Sequence, residues 1–286
     1  MIEFMNRELT NGLILPQIGF GTADLEGDKV QIIKNALKCG YRLIDTAPVY
    51  DSEQAVGTAV TDLISEKQLS REDIFIETKL DPSCHGYKNT MECFEKSLDL
   101  LKTDYIDSYL IHWPVSRGNE FDYKEKNIET WNAFEELYEK GKIHSIGVCN
   151  FLERHLLQII NNCKIKPMIN QLEIHPGYQQ IGLVNFCREN GIFVEAWSPM
   201  GRGILKDSKF IEMSKKYNKN IAQLALRWSL QKGFVPISRS SSGEHMKTNK
   251  DIFDFEISKS DIAIIDELNS NTGHMDIWAY KRQQMY

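Results

Sequence analysis

Short apolar runs alternate along the chain with segments whose apolar residues recur every three or four positions. The short runs predict eight strands, at residues 18–21, 43–45, 74–78, 106–111, 143–148, 168–170, 192–197 and 234–237. The spaced segments predict amphipathic helices at residues 29–39, 55–64, 94–101, 131–138, 156–160, 183–187, 224–228 and 262–268. Asn11-Gly12 predicts a β-hairpin before the first strand.

Strands that alternate with helices require a parallel sheet, because each return crossing needs a helix. Eight such units predict a closed (β/α)8 TIM barrel, preceded by the N-terminal hairpin. The alternative is an open, doubly wound sheet. However, Gly19-Phe20-Gly21 is followed by Asp24 where a dinucleotide-binding G-x-G-x-x-G motif has its third glycine. No linker-like segment divides the chain, so we expect one domain over residues 1–286.

Composition narrows the classes of function. The chain has 286 residues, of which 42% are hydrophobic, and a formal net charge of -6. This charge argues against nucleic acid or an anionic membrane as the main partner. Glu3, Arg7 and Glu8 argue against a signal peptide, and no apolar run reaches the length of a membrane span. We therefore expect a soluble, cytoplasmic protein, most simply a monomer, with a dimer as the alternative.

The cysteines carry no recognisable pattern. All six are scattered without a C-x-x-C pair: Cys39, Cys84, Cys93, Cys149, Cys163 and Cys187. This distribution favours free thiols in a reducing cytosol over a disulfide framework or a zinc site.

Four residues of complementary chemistry follow or end three neighbouring predicted strands. Asp45 ends the second strand and Tyr50 follows it, Lys79 ends the third, and His112 ends the fourth. The carboxyl ends of barrel strands meet at one face, so we expect these side chains to lie together. Singly, each has a simpler explanation: a helix cap for Asp45, a solvated lysine for Lys79, a core histidine for His112.

Together, the four side chains could reduce a carbonyl group. Tyrosine has a pKa near 10. A neighbouring Lys79 ammonium is predicted to lower the pKa of Tyr50 by about two to three units, so that it becomes a better proton donor. Asp45 would keep Lys79 charged, and His112 would orient a carbonyl oxygen.

These motifs, with L-I-L-P-Q-I-G-F-G-T near the start, resemble the aldo-keto reductase family from there to the region around Asn249. The resemblance implies a catalytic tetrad of Asp45, Tyr50, Lys79 and His112. It also implies hydride transfer from NADPH to a carbonyl carbon, with Tyr50 protonating the oxygen and without a metal.

The same resemblance implies a dinucleotide-binding groove. Asn150 and Gln171 match positions that bind the nicotinamide carboxamide, Trp197 matches an aromatic residue that stacks on the ring, and Cys149 stands where serine is usual. The expected cofactor-binding residues are Gly21, Thr22, Asp45, Asn150, Gln171, Trp197, Ser198, Met200, Arg239, Ser240, Ser241, His245 and Asn249.

The adenine end of this groove departs from the family pattern. I-S-R-S replaces I-P-K-S, so Arg239 takes the place of a lysine that binds the 2′-phosphate. His245 and Thr248 replace a common arginine and glutamate. Because a neutral imidazole binds phosphate less well than a guanidinium, we expect NADPH to be preferred and NADH to be tolerated. Alternatively, Arg239 and Ser240 carry the selectivity and His245 has no effect.

The substrate is expected to be a small carbonyl compound. The predicted pocket residues are Ala23, Asp24, Tyr50, His112, Trp113, Phe121 and Trp278. Small aldehydes, α-dicarbonyls, keto sugars and bulkier ketones all remain open. A second reading is a cofactor-binding redox sensor or scaffold with negligible turnover. A third, a metal-dependent hydrolase, lacks the ligand spacing that His144, His175 and His274 would need.

Overall fold

The computed structural model describes residues 7–115, 120–201, 206–271, 273 and 285. Within them, eight parallel strands close into a barrel in chain order, with the first strand paired to the last. The strands are β1 Gly19–Gly21, β2 Leu43–Asp45, β3 Phe75–Leu80, β4 Ser108–Ile111, β5 Ile146–Cys149, β6 Ile169–Glu173, β7 Phe193–Trp197 and β8 Val235–Ser238. The closed order confirms the predicted (β/α)8 barrel and excludes the open sheet.

Helices surround the barrel. Those in the described part of the chain are α1 Lys29–Lys38, α2 Glu53–Ser65, α3 Tyr87–Leu101, α4 Tyr123–Glu139, α5 Glu153–Ile160, α6 Ile181–Glu189, α7 Ser208–Lys216, α8 Ile221–Gln231, α9 Gly243–Lys250 and α10 Lys259–Asp266. The first is typical. Asp28 caps it by accepting a hydrogen bond from the backbone N–H of Gln31, and Gly40, with φ of +89°, turns the chain towards β2.

The strand register brings the functional ends to one edge. Gly21 lies opposite Asp45, Asp45 opposite Glu77, and Lys79 opposite Leu110.

Close packing inside the barrel depends on small residues at some positions. A Cβ added to Gly19 would come within 2.4 Å of Ile237 Cδ1 and 2.7 Å of Leu43 Cδ2. The apolar side chains of the strands and the inward faces of the helices form one continuous core.

Two helices were not predicted from the pattern. α7 buries only Phe210 and Ser214, and α9 buries only Met246 and Asn249. With so few buried residues, neither helix has a long apolar stripe. At the N-terminus, Glu8 and Ile14 form an isolated antiparallel β-bridge on either side of Asn11-Gly12. Among the described residues, this segment is a short turn and does not contain a pair of regular strands. The prediction of one domain over residues 1–286 stays a prediction.

The prediction of six free thiols is wrong for one pair. Cys84 and Cys93 form a disulfide that links the turn after β3 to helix α3. The two cysteines are nine positions apart, a spacing that matches no common motif, and folding brings their Cα atoms to 6.5 Å. Cys39, Cys149, Cys163 and Cys187 are free. The disulfide removes part of the argument for a reducing compartment, and the cytoplasmic location stays a prediction.

In the part of the chain that the structure describes, no helix has both the length and the apolar character needed to cross a membrane.

Candidate active site

The ends of three strands bring the four predicted catalytic side chains together. Asp45 is the last residue of β2, Lys79 is the last but one of β3, and His112 follows β4 directly. Tyr50 ends a single 3-10 turn, Pro48–Tyr50, after β2. Proline fits the start of such a turn because its φ is already fixed near the helical value. The turn carries the Tyr50 side chain back over the barrel mouth.

These side chains make direct contacts. The Lys79 ammonium forms an ion pair with Asp45 Oδ1 and donates to the backbone oxygen of Thr46 at 3.3 Å. The same ammonium lies 5.1 Å from the centroid of the Tyr50 ring. Tyr50 Oη and His112 Nε2 are 3.3 Å apart. The four side chains therefore form one connected group, as the sequence predicts.

Burial and mutual charge set the protonation of this group. Burial lowers the pKa of Lys79, but Asp45 and the other acidic groups around it, among them Glu77, together raise it by more, so the net pKa lies above the usual value and Lys79 is charged. Burial and the Lys79 charge both hold the pKa of His112 well below its usual range. His112 is therefore neutral, with Nε2 available as a donor when it carries the ring proton.

The predicted lowering of the Tyr50 pKa is wrong in its net direction. Burial raises the pKa of Tyr50 by more than the Lys79 charge lowers it. The phenol therefore keeps its proton at neutral pH. An ammonium group this close to the ring is also placed to stabilise a phenolate.

Two further carboxyl groups lie beneath the four side chains and were not predicted. Glu77 on β3 and Glu195 on β7 are fully buried, and Gln171 Nε2 donates to Glu77 at 2.6 Å, to Glu195 at 3.1 Å and to Asp45 at 3.1 Å. Burial, reinforced by the other carboxylates, raises the pKa of Glu77 well above its usual range. Glutamate within the apolar strand I-F-I-E-T was the available signal.

Asp45, Tyr50 and His112 line a cleft of about 520 Å³ that extends to Arg239, whereas Lys79 is fully buried and does not line it. Predicted cofactor residues that line it are Gly21, Asp45, Asn150, Gln171, Trp197, Ser198, Met200 and Arg239. Cleft residues that the sequence did not single out are Val49, Pro199, Gly201 and Ile237. Apolar and glycine residues of this kind carry no chemical signal before the fold is known.

The nicotinamide-binding candidates are held by one another. Trp197 Nε1 donates to Asn150 Oδ1 at 2.8 Å, and Asn150 Nδ2 donates to the backbone oxygen of His112 at 3.2 Å. Asn150 Nδ2 also lies 3.1 Å from Cys149 Sγ, which is 3.7 Å from Gln171 Oε1. The indole is thereby fixed on the cleft wall. Because Gln171 Nε2 is directed at the three carboxyl groups, a ligand can contact this amide only through its oxygen, which also accepts a hydrogen bond from Cys149 Sγ.

Five predicted cofactor residues do not line the cleft. Thr22 is fully buried and donates to the backbone oxygen of Asp45 at 3.0 Å, so it supports the end of β2. Asn249 is buried in α9. Ser240, Ser241 and His245 lie at the start of α9, where Ser242 is the capping residue.

The substrate-pocket candidates divide in the same way. Ala23, Asp24, Tyr50, His112 and Trp113 line the cleft. Phe121 is 96% exposed and does not line it. Trp278 lies outside the described residues. Within the described ranges, no three His, Cys, Asp or Glu side chains are grouped so that they could hold a metal ion.

Comparison with known proteins gives consistent results. The model of the Aldo/keto reductase family matches residues 17–270. Glyoxal reductase of Bacillus subtilis is 42% identical over 267 residues, which cover 92% of each chain. The 9,11-endoperoxide prostaglandin H2 reductase of Trypanosoma cruzi is 40% identical over 269 residues, covering 92% of this chain and 91% of that protein.

Solved structures agree with the fold. An aldo/keto reductase from Brucella melitensis superposes with a TM-score of 0.86 at 39% identity, covering 94% of this chain and 99% of that one. An aldo-keto reductase from Bombyx mori, solved in complex with NADP, superposes with a TM-score of 0.89 at 30% identity and covers 98% of both chains.

Proposed function

The chain belongs to the aldo/keto reductase family, and on that premise we propose that it is an NADPH-dependent reductase of aldehydes and ketones. Tyr50 acts as proton donor, Lys79 and Asp45 assist it, and His112 orients the carbonyl group.

The observation that carries the proposal is the separation of 3.3 Å between Tyr50 Oη and His112 Nε2 at the base of the cleft. Two donors this close can direct their protons at a single oxygen atom. The high pKa of Tyr50 and the low pKa of His112 both favour that arrangement, because the phenol keeps its proton and the imidazole is neutral. His112 Nδ1 makes no hydrogen bond to the described residues, which fits a ring that carries its proton on Nε2.

The cleft fits a phosphorylated dinucleotide. A Cβ on Gly21 would project to within 3.1 Å of Ile237 Cγ2 and 3.9 Å of Asp45 Oδ2, so glycine leaves the space beside the tetrad open. Trp197 offers a fixed indole for stacking. At the other end of the cleft, the Arg239 guanidinium is a donor suited to phosphate. Trp197 and Asn150 would therefore hold the nicotinamide, and Arg239 the 2′-phosphate.

Within this assignment each side chain has a defined task. When bound, NADPH would supply the hydride that reduces the carbonyl carbon. Tyr50 gives its phenolic proton to the carbonyl oxygen, and the resulting phenolate is stabilised by the Lys79 ammonium. Asp45 keeps Lys79 charged inside the barrel. His112 Nε2 donates a hydrogen bond to the same oxygen and so fixes the face of the carbonyl group, and solvent then returns a proton to Tyr50.

The substrate class is supported by relatives and by the cleft wall. The names of two relatives specify glyoxal and a prostaglandin endoperoxide as substrates. Beside Tyr50 and His112, the described wall of this cleft is formed by Val49, Trp113 and the small residue Ala23. We therefore place α-dicarbonyls and small aldehydes first in the panel, followed by keto sugars and bulkier ketones.

The test measures the loss of nicotinamide absorbance with this panel for the wild type and for Tyr50→Phe. The variant is expected to lose about 10²- to 10⁴-fold in kcat, because general acid catalysis contributes that much. Its dissociation constant for NADPH, measured by quenching of tryptophan fluorescence, should stay within about twofold, since the phenol is not needed for cofactor binding.

Two other outcomes would contradict the proposal. Equal turnover in the wild type and in Tyr50→Phe would remove the proton-donor role of Tyr50. Tight binding of NADPH by a wild type that reduces none of the panel would favour a redox sensor or scaffold.

A further inference from the structure

One arginine joins the loops that follow β1 and β8 across the cleft. Arg239 Nη1 donates to the backbone oxygens of Ala23 at 2.8 Å and Asp24 at 3.1 Å, and it lies 3.3 Å from Asp24 Oδ2. Arg239 and Asp24 both line the cleft. Arg239 is also the only lysine or arginine among the described residues that do so. The cation expected to bind a phosphate is therefore already paired with a carboxylate.

This pairing bears on cofactor choice because the two nicotinamide dinucleotides differ only in the 2′-phosphate. A phosphate dianion and the Asp24 carboxylate compete for the same guanidinium, and they also repel each other at short range. NADH carries no such group, so the competition should not affect it. The Asp24 side chain is 87% exposed, so the ion pair is weak enough for a phosphate to displace it.

We propose that Asp24 is a positioning residue that limits the selectivity for NADPH over NADH, by holding Arg239 across the cleft. The proposal rests on the NADPH-dependent function proposed above. Asp24 was predicted to be a substrate-pocket residue, and the proposal assigns it to cofactor selection instead.

The test compares dissociation constants of the full-length protein for NADPH and NADH, without substrate, by quenching of tryptophan fluorescence. Asp24→Asn removes the charge and keeps the backbone, because Asp24 has φ of +50° and asparagine tolerates this left-handed conformation. Asp51→Asn is the matched control. Asp51 also has φ of +51° and an exposed carboxylate, but its ion-pair partner is Lys29 and it does not line the cleft.

We expect Asp24→Asn to tighten NADPH binding by about three- to tenfold, the range of a weak ion pair plus short-range repulsion. NADH binding should change by less than about twofold, and Asp51→Asn should leave both constants within the same margin. The gain for NADPH should shrink as salt is added, because exposed charges are screened. The KM for a carbonyl substrate should not change, since Asp24 acts on Arg239.

A second pair of variants tests the step through Arg239. In an Arg239→Met background, Asp24→Asn should improve NADPH binding by clearly less than in the wild type, because the cation for which carboxylate and phosphate compete is gone and only their direct repulsion is relieved. If Asp24→Asn improved NADPH binding as much in Arg239→Met as in the wild type, Asp24 would not act through Arg239. Equal changes for NADPH and NADH in Asp24→Asn, or none for NADPH, would overturn the proposal while leaving the reductase function intact. A wild type that binds neither dinucleotide would instead refute the proposed function, and this inference with it.

Discussion

Asp45 and Lys79 form an ion pair inside the barrel, with 0% of the Lys79 side chain and 6% of the Asp45 side chain exposed. The pair comes from the ends of neighbouring strands, β2 and β3. It is not isolated, because Glu77 and Glu195 lie beside it and Gln171 Nε2 donates to all three carboxyl groups. Because three carboxyl groups surround one ammonium, Asp45 and Lys79 are not expected to contribute equally to stability.

Removing the ammonium should therefore cost more stability than removing the carboxylate. Lys79→Met leaves the Asp45 carboxyl group without its cation beside two other buried carboxyl groups, and we expect it to lower the free energy of unfolding by about 3–5 kcal/mol. Asp45→Asn leaves Lys79 close to Glu77 and Glu195, which can compensate its charge, so the loss should be smaller. Urea denaturation of both variants measures the difference.

The double variant separates stability from chemistry. Asp45→Asn with Lys79→Met removes both charges, so it should recover part of the stability lost in Lys79→Met. It should not recover turnover, because no cation remains beside Tyr50. If the double variant lost as much stability as the two single variants together, the two charges would not stabilise each other.

Glu77 should make the protein less stable as the pH rises. Its pKa in the folded protein is raised by burial and by the neighbouring carboxylates. The folded state therefore binds more protons than the unfolded chain above the unfolded pKa of about 4.3. This contribution to stability is complete below that pKa and is lost as the pH rises through the higher folded pKa.

Glu77→Gln should remove this pH dependence while keeping an acceptor oxygen for Gln171 Nε2. Its free energy of unfolding should exceed that of the wild type at about pH 8 and the advantage should shrink towards about pH 5. Glu92→Gln, at an exposed carboxylate, serves as control. A constant offset between Glu77→Gln and the wild type over this range would contradict the raised pKa.

The sequence predicts the barrel and the tetrad because both depend on local pattern. Each strand corresponds to an apolar run in the sequence, and Asp45, Lys79 and His112 are polar residues at the ends of such runs. The register of parallel strands then brings them together without further information. Cys84 and Cys93 show the limit, since whether two thiols meet depends on how a loop packs on α3.

The net direction of the pKa shift of Tyr50 also could not be predicted from the sequence. Chemical reasoning from a nearby lysine gives the sign of one contribution, but the net pKa depends on how deeply the phenol is buried. Similarly, nothing in the sequence indicates that Arg239 pairs with Asp24 more than 200 positions away. Contacts between loops of different strands depend on the closure of the barrel.

Two glycines on helices should respond to alanine with opposite signs. In α2, a Cβ on Gly57 would lie 2.4 Å from the backbone oxygen of Leu100 and 2.7 Å from the backbone carbon of Leu101. Gly57→Ala should force α2 and α3 apart and cost about 1–3 kcal/mol. Gly182 in α6 has open space at its Cβ, so Gly182→Ala should stabilise by about 0.5–1 kcal/mol. Thermal unfolding of both variants tests this, and destabilisation by both would show that α6 needs its glycine for another reason.

The Cys84–Cys93 disulfide should stabilise the start of α3. It closes a loop of nine positions. The chain-entropy model gives such a loop about 2–3 kcal/mol, because the link restricts the unfolded chain. Cys84→Ser with Cys93→Ser should lose that amount in urea denaturation under non-reducing conditions, whereas Cys39→Ser, at a free cysteine, should lose little. Addition of a reductant should lower the wild type to the level of the double variant. Peptide mapping that finds both thiols free in the untreated protein would contradict the link, and the double variant should then unfold like the wild type in either condition.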